Sequence, residues 1–129
     1  MKKLLLIGCL LALVHAASAQ TDWGQRLSAG LQSANAPSLI AGFGAEVEVS
    51  VLGRTGVMGP RQAQELLEDF FAGHAPQACS ISHQGTRETS SFFIFSYQDT
   101  TGHTYRIYCV VRKSDEGQFV KQFRIDYVR

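Results

Sequence analysis

The chain has 129 residues, of which 45% are hydrophobic and 18% charged, and its formal net charge at pH 7 is +1. This length suits a single domain, and so small a charge argues against nucleic acid as a partner. Past its first residues the sequence has no apolar run long enough to span a membrane, no glycine-rich phosphate loop, no Cys-x-x-Cys pair and no His-Glu-x-x-His motif. These absences argue against transporters, phosphate-loop enzymes and the common zinc sites, and nothing in the sequence identifies a substrate.

The start of the chain has the three parts of a secretory signal peptide. A basic start at residues 1–3 precedes an apolar run at residues 4–14, and Ala17, Ser18 and Ala19 supply the small residues that signal peptidase recognises. We therefore predict a signal peptide at residues 1–19 with cleavage after Ala19. Residues 20–129 would then form one domain, exported to the periplasm or the extracellular medium, with no membrane-spanning segment predicted in it.

Cys9 raises the alternative of a lipoprotein. The residues Leu6, Ile7, Gly8 and Cys9 resemble the lipobox at which bacterial lipoproteins are cleaved. Cleavage there would leave too few apolar residues for a signal core and would keep most of the apolar run in the product. We therefore interpret Cys9 as a small apolar residue of the signal peptide.

The first element of the mature chain is predicted to be a helix over residues 22–35. Its apolar side chains recur at the helical period: Trp23, Leu27, Gly30, Leu31 and Ala34. Pro37 interrupts this helix, and Asn35 is placed to cap a short helical turn that follows.

A strand and a turn come next. Residues 46–52 alternate valines with polar side chains, which predicts a strand with one buried face. Residues 53–56, which contain two glycines, are predicted to form a turn.

The most regular amphipathic pattern in the chain predicts a helix that begins at Pro60 and is capped at Gly73. Proline has the backbone angle that the first helical position requires, Gly73 suits a left-handed C-cap, and Pro76 prevents continuation. One face carries Ala63, Leu66, Leu67, Phe70 and Phe71. We interpret the two phenylalanines as core residues rather than as a ligand-stacking pair.

Four strands separated by turn residues fill the rest of the chain. They are predicted at residues 79–84, 91–98, 103–112 and 118–127. The turn at residues 99–102 ends in Gly102, which suits a short hairpin with a glycine bulge. Helices, a strand, a further helix and a four-stranded meander together indicate an α+β fold.

The pattern resembles a small exported bacterial family of unknown function in the nuclear-transport-factor-2-like superfamily, which also contains ketosteroid isomerase. The residues that carry the resemblance span about residues 22–127: Asn35-Ala36, Phe43, Glu46-Val47-Glu48-Val49, Gly53, Gly56, Gln62-Ala63, Asp69-Phe70-Phe71, His83-Gln84-Gly85, Tyr105-Arg106-Ile107-Tyr108 and Gln122-Phe123-Arg124-Ile125. The resemblance implies a cone-shaped, cystatin-like architecture in which a strongly bent, mostly antiparallel sheet wraps around about three helices. It also implies that a pocket inside the cone and a homodimer made through the outer face of the sheet are common. These motifs are structural, so the resemblance implies no particular activity.

Side-chain alternation predicts the face of the sheet on which each residue lies. Odd-numbered positions carry most apolar side chains of the predicted strands and are expected to point toward the helices. The even-numbered, outer positions also carry apolar residues on neighbouring strands, which a partner must cover unless they are scattered or lie under a loop. We predict a homodimer that packs sheet against sheet through Phe92, Ile94, Arg106, Tyr108, Val110 and Val120.

The inner face would line any pocket between the sheet and the helices. The predicted lining is Phe70, Phe71, Ile81, His83, Phe95, Tyr97, Tyr105 and Phe123. Within this set, His83, Tyr97 and Tyr105 are candidates for general acid–base chemistry. No carboxylate falls on the inner face within a strand, because Asp99 has the right parity but lies at a hairpin tip. We therefore favour core packing over catalysis, and predict no metal site and no cofactor.

Two cysteines remain in the mature chain, Cys79 and Cys109, and both have inward parity. If Cys79 aligns with Tyr97 and Tyr105, while His83 and Phe93 align with Cys109, the two are two strands and four residues apart. That separation is roughly 16 Å, well beyond the reach of a disulfide. We predict two buried free thiols.

Three functions from different classes remain open. The first is an exported, non-catalytic, homodimeric module that binds a small apolar ligand between sheet and helices. The second is a protein-interaction scaffold with a fully packed interior. The third is an isomerase, dehydratase or cyclase that uses His83 and the inward tyrosines, and the missing inward carboxylate ranks it last.

Overall fold

The computed structural model describes residues 22–129, so the predicted signal peptide, its cleavage site and Cys9 lie outside the described residues. Within this part of the chain, three helices and six strands follow one another: α1 (Asp22–Gln32), α2 (Ala36–Ile40), β1 (Phe43–Val51), β2 (Arg54–Met58), α3 (Pro60–Gly73), β3 (Pro76–Arg87), β4 (Ser90–Asp99), β5 (Thr104–Ser114) and β6 (Gly117–Tyr127). None of the three helices is long and apolar enough to cross a membrane.

The six strands form one curved, unclosed sheet in the order β2-β1-β6-β5-β4-β3. Neighbouring strands are antiparallel except for β1 and β6, which pair in parallel. The helices pack against the inner face of this sheet, and the buried residues of both layers form a single apolar core. The predicted α+β fold, with a bent, mostly antiparallel sheet and three helices, is confirmed.

Local sequence signals explain several element boundaries. The Asn35 side chain accepts a hydrogen bond of 3.1 Å from the Ser38 N–H at the start of α2, as predicted. Pro60 begins α3 after Gly59, which offers no side chain for capping. Leu52 and Gly53 both have positive φ angles, of 50° and 89°, so the tight turn between β1 and β2 is of the type that favours glycine.

Several element boundaries differ from the predictions, and β1 begins at Phe43 rather than at residue 46. Residues 54–58, predicted in part as a turn, form the edge strand β2, which the alternation does not reveal because Gly56 occupies its central inward position. Helix α1 ends at Gln32 rather than at residue 35, and Ala34 has a left-handed φ of 52°. Strand β3 begins three residues earlier and ends three residues later than predicted, and its turn to β4 has Glu88 at φ 55°.

A β-bulge in β3 overturns the predicted position of His83. Ile81 pairs with Phe95, but His83 pairs with Ile94, so Ser82 is an extra residue in β3. Because one extra residue exchanges the two faces of a strand, His83 lies on the outer face and is exposed. The prediction that it points inward is wrong.

A second bulge, in β6, overturns the predicted position of Val120. Val110 pairs with Gln122, whereas Val111 pairs with Val120, so Lys121 is the extra residue. Val120 consequently lies in the core with 0% exposure instead of on the outer face. By the same exchange, Phe119 lies opposite the outward Arg112 and is half-buried.

Candidate functional site

A network of polar and aromatic side chains lies where the end of α3 meets the hairpin between β4 and β5. It contains Asp99, which is 1% exposed and is the one buried charged residue of the described chain. Asp99 continues the inward series of β4, whose two preceding members, Phe95 and Tyr97, are fully buried. The hairpin folds around the carboxylate, and Gly102 supplies the positive φ of 92° that the turn requires.

Four donors hold the Asp99 carboxylate. Oδ1 accepts hydrogen bonds from Thr101 Oγ1 at 2.6 Å, the Thr101 N–H at 2.9 Å and the His103 N–H at 3.0 Å, and Oδ2 accepts one from Tyr105 Oη at 2.8 Å. The Thr101 hydroxyl contributes most to lowering the pKa of Asp99. Together with the Tyr105 hydroxyl and the two N–H groups it outweighs the effect of burial and holds this pKa well below its usual range.

His74, the C-cap of α3, completes the network. Its Nδ1 lies 2.7 Å from Tyr105 Oη and 3.5 Å from Asp99 Oδ2. The Tyr105 hydroxyl has one proton and donates it to Asp99, so His74 Nδ1 must carry a proton and donate to Tyr105. Burial, followed by the neighbouring carboxylate, raises the pKa of Tyr105, which keeps this hydroxyl protonated.

The same network ties the end of α3 to the sheet. Tyr97 Oη donates a 2.5 Å hydrogen bond to the backbone carbonyl of His74, one of the helix carbonyls that lack an intrahelical donor. The Phe70 ring stacks on the His74 ring with their centroids 4.9 Å apart. It meets the Tyr105 ring edge to face at 5.4 Å and is tilted against the Tyr97 ring at 5.5 Å. Helix position, hairpin conformation and ring packing are therefore coupled through one cluster.

The chemistry of this network suits a structural role, holding the end of α3 on the sheet, rather than proton transfer. A general base for acid–base catalysis needs a carboxylate whose pKa is raised toward neutrality and whose oxygen can reach a substrate. Asp99 has the opposite property, because its pKa is lowered and both of its oxygens already accept hydrogen bonds. The prediction that no strand carries an inward carboxylate is therefore wrong, since Asp99 ends β4 and is buried, but its surroundings make it a poor base.

The structure separates the three residues predicted as acid–base candidates. Tyr97 and Tyr105 are a cross-strand pair whose ring centroids lie 5.9 Å apart in the core. His83 lies on the opposite face of the sheet, so it cannot act together with them. His74, which was not among the predicted candidates, lies beside Tyr105 instead.

The residues predicted to line a pocket fall into two groups. Six of them are buried and belong to the apolar core: Phe70, Phe71, Phe95, Tyr97, Tyr105 and Phe123. Ile81 is half-buried at the margin of that core, and a side chain at Gly24 of α1 would contact it at 3.1 Å. His83 is outside the core altogether.

Both cysteines of the described chain are free and buried, and they have the predicted separation. Cys79 aligns with Tyr97 and then Tyr105, whereas Cys109 aligns with Phe93, so the two lie two strands and four residues apart. Gln84, rather than His83 as predicted, pairs with Phe93. Burial raises the pKa of Cys79 to about 11 and raises that of Cys109 as well, so neither thiol is a reactive thiolate at neutral pH.

The outer face of the sheet carries a block of apolar side chains in register. Phe92 pairs with Val110, and Ile94 pairs with Tyr108, on the adjacent strands β4 and β5. All four are half-buried in the single chain. We call these four residues the outer apolar block.

Polar and charged residues surround this block on the same face. An open depression of about 530 Å³ adjoins it, and its lining includes Ser82, His83, Ile94, Ser96, Thr104, Arg106 and Val128. Within residues 22–129, no three His, Cys, Asp or Glu side chains are grouped so that they could hold a metal ion. The outer face thus presents an apolar centre with a polar border.

Comparison with known proteins gives the family. Residues 25–126 match the family model described as a domain of unknown function, DUF4783. The chain belongs to the DUF4783 family. No curated protein sequence matches it.

Solved structures similar to this DUF4783 domain agree with its fold. A DUF4783 family protein from Bacteroides ovatus ATCC 8483 is 24% identical, with a TM-score of 0.74 over 81% of this chain and 94% of that one. An NTF2-like protein of unknown function from Shewanella baltica OS155 is 10% identical, with a TM-score of 0.65 over 90% and 96%. A domain of unknown function with a cystatin-like fold from Nostoc punctiforme PCC 73102 is 10% identical, with a TM-score of 0.67 over 88% and 77%. The predicted family and NTF2-like fold class are confirmed.

Proposed function

We propose that this DUF4783 domain is an exported, non-catalytic module that forms a homodimer through the outer face of its sheet. The observation that carries the proposal is the outer apolar block. Four apolar side chains in two cross-strand pairs, on a face that no helix of the described chain covers, need a partner surface.

The surroundings of the block favour a second copy of the chain as that partner. Arg106, Arg112 and Arg124 are exposed on the same face and form a polar border of the kind that surrounds the apolar centre of protein interfaces. Toward β1 the same face becomes acidic, with Glu46 and Glu48 exposed. A two-fold arrangement can therefore place the acidic side of one copy over the basic side of the other.

The interior supports a packed scaffold more than a ligand-binding cone. The rings of Phe70, Tyr97 and Tyr105 contact one another where a ligand would have to lie. Within residues 22–129 no buried side-chain nitrogen or oxygen lacks a hydrogen-bond partner, so no unsatisfied inward polar group is aimed at a ligand. The saturated carboxylate of Asp99 likewise favours a non-catalytic role.

Charge placed in the outer apolar block is expected to produce a monomer. The double variant Ile94→Glu, Tyr108→Glu would bury four like charges at the centre of the dimer, and its dissociation constant should rise by about 100-fold or more. Sedimentation equilibrium of the wild-type and variant proteins measures this change.

A matched control is Ala72→Glu. Ala72 is exposed on α3, in the helix layer on the other side of the sheet from the block, so this variant should dimerise like the wild type. A wild-type protein that stays monomeric, or a double variant that dimerises normally, contradicts the proposed interface.

Export is expected to remove residues 1–19. The proposed location depends on the signal peptide that the sequence predicts, and intact-mass spectrometry of the protein purified from the periplasm or medium measures the N-terminus directly. We expect a chain that begins at Gln20. Ala19→Pro should block this cleavage, because signal peptidase requires a small residue at that position. Ala16→Ser lies outside the small residues Ala17 to Ala19 and should be cleaved normally. A product that begins at Cys9 with an added lipid mass would contradict this site.

A further inference from the structure

The two edge strands of the sheet, β3 and β2, differ in how far their backbone groups are protected from pairing with another strand. Strand β3 forms one edge, and Gln32 of α1 donates a 2.9 Å hydrogen bond from Nε2 to the Cys79 carbonyl of that strand. The bulge at Ser82 interrupts the same edge further along. Strand β2 forms the other edge, and it has neither a bulge in its pairing with β1 nor a side-chain hydrogen bond to its backbone within the described chain.

The turn between β1 and β2 determines which backbone groups of β2 are open. A two-residue turn joins Val51 to Arg54, so these two residues form a hydrogen-bonded pair. Because hydrogen-bonded and non-hydrogen-bonded pairs alternate, the N–H and C=O groups of Thr55 and Val57 point away from β1. These four groups are spaced as an added strand requires.

A groove runs beside this open edge, between β2 and α3. It has a volume of about 340 Å³, and we call it the edge groove. Its lining consists of Arg54, Thr55, Met58, Gln62, Glu65, Leu66 and Asp69. Gly56, midway along β2, faces the helix side and contributes no side chain there, which leaves the groove open.

The edge groove has an apolar floor and an acidic wall. Met58 and Leu66, which are 9% and 7% exposed, form the floor. Glu65 and Asp69 are exposed along α3 above it. The ion pair between Arg54 and Asp69 is long, at 3.8 Å, and its side chains are 68% and 70% exposed, so an incoming cation can exchange with it at little cost.

We propose that β2 and the edge groove bind an extended peptide segment of a partner protein, which adds to the sheet as a further strand. Its backbone pairs with Thr55 and Val57, an apolar side chain fills the space beside Gly56, and basic side chains on either side of it meet Glu65 and Asp69. Strand addition of this kind gives affinity through the backbone and selects alternate side chains through the groove.

The groove chemistry favours such a peptide over a second copy of this chain. The inward residue at the middle of a second β2 is Gly56, which has no side chain to fill the groove. The acidic wall of Glu65 and Asp69 calls for a cation on each side of the apolar residue, and β2 has only Arg54. This binding site is also separate from the outer apolar block, so it does not depend on the proposed dimer.

A designed peptide tests the proposal. The probe is acetyl-Thr-Lys-Thr-Leu-Thr-Lys-Thr-amide, whose lysines and leucine fall on one face of a strand. The peptide is titrated into the ¹⁵N-labelled protein, purified in the form in which the cells produce it, and binding is followed by NMR. We expect saturable changes in the amide signals of Thr55 and Val57 and of the first turns of α3. The same peptide with glutamate in place of lysine should bind about ten-fold more weakly or worse. An absence of these changes, equal affinity for both peptides, or concentration-dependent changes in the same Thr55 and Val57 signals without peptide would overturn the proposal.

Two variants separate strand addition from non-specific binding. Val57→Pro removes an N–H that β1 does not use, so the β1–β2 pairing is retained and peptide affinity should fall about ten-fold or more. Val57→Thr changes the side chain but keeps that N–H, so its affinity for the peptide should fall far less than that of Val57→Pro. Gly56→Leu places a side chain in the edge groove, at a position where an added Cβ meets only Met58 Cε at 3.7 Å. This variant should abolish peptide binding, and it tests the site independently of whether Val57→Pro folds. Undiminished binding by a folded Gly56→Leu variant would show that the groove is not the site.

Discussion

Replacing Asp99 with asparagine is expected to lower the Tm of this DUF4783 domain by about 10 °C at pH 7. The carboxylate accepts four hydrogen bonds, and an amide offers one oxygen and two N–H donors in its place. Turned one way, the amide N–H groups face the N–H groups of Thr101 and His103, which cannot accept; turned the other way, they face Tyr105 Oη, whose proton then has no carboxylate to which it can be donated. Buried donors without an acceptor destabilise the folded state strongly.

The loss of Tm caused by Asp99→Asn should become smaller as the pH falls. Because the folded state lowers the pKa of Asp99, its ionised carboxylate contributes stability that is fully present above the unfolded pKa of about 4. That stability is lost as the pH falls through the folded pKa. The difference in Tm between wild type and Asp99→Asn should therefore be constant from pH 7 to about pH 5 and shrink steadily in more acidic solution.

Differential scanning calorimetry at pH 7, 5, 3 and 2 measures this dependence. Asp126→Asn is the matched control, because Asp126 pairs with Arg124 at 2.6 Å on the surface, where its side chain is 40% exposed. An exposed pair contributes little, so this control should change the stability by about 0.5 kcal/mol or less. A constant difference in Tm down to pH 2, or none at pH 7, would contradict the role assigned to Asp99.

Replacing Phe70 with alanine is expected to reduce the free energy of unfolding by about 3–5 kcal/mol. Phe70 is 3% exposed and its ring contacts four other rings, those of Phe71, His74, Tyr97 and Tyr105. Truncation removes the transfer free energy of the ring and leaves a cavity among side chains that the hydrogen bonds of Tyr97 and Tyr105 hold in place.

Urea denaturation of the purified variant measures this loss. Phe119→Ala is the control, since Phe119 is half-buried on the outer face and its truncation should reduce the free energy of unfolding by only about 1 kcal/mol. If the two variants lose equal stability, the interior is loosely packed around Phe70. That result would favour the alternative of a small apolar ligand between sheet and helices over a packed scaffold.

Alternation predicted the faces of β4 and β5 well because these strands pair without interruption. Every residue from Ser90 to Gln98 has a partner in unbroken order on β5, so the period of two is kept throughout. In β3 and β6 the bulges at Ser82 and Lys121 reverse it, and His83 and Val120 consequently exchange faces. Nothing in the local residue types distinguishes a bulge from regular strand here, since neither position is a glycine.

The polar network around Asp99 could not be predicted from the sequence, for a different reason. Asp99 had the correct inward parity, and the continuous series from Phe93 to Tyr97 was the signal that it pointed into the core. Its position at a hairpin tip gave no sign of burial, because the burial depends on how the hairpin folds around the carboxylate and on the end of α3 beside it. His74 could not be assigned, since its contact with Tyr105 joins residues 31 positions apart and depends on the packing of a helix on a sheet.

The position of β6 has a consequence for how the fold is reached. This strand follows all the others along the chain, yet it lies between β1 and β5 and provides the parallel ladder to β1. Until β6 is present, the β1–β2 hairpin and the β3–β5 meander have no shared ladder. Non-local pairings of this kind carry a large loop-closure entropy and form late. The sheet of an emerging polypeptide is therefore completed only when nearly all of the chain has been synthesised.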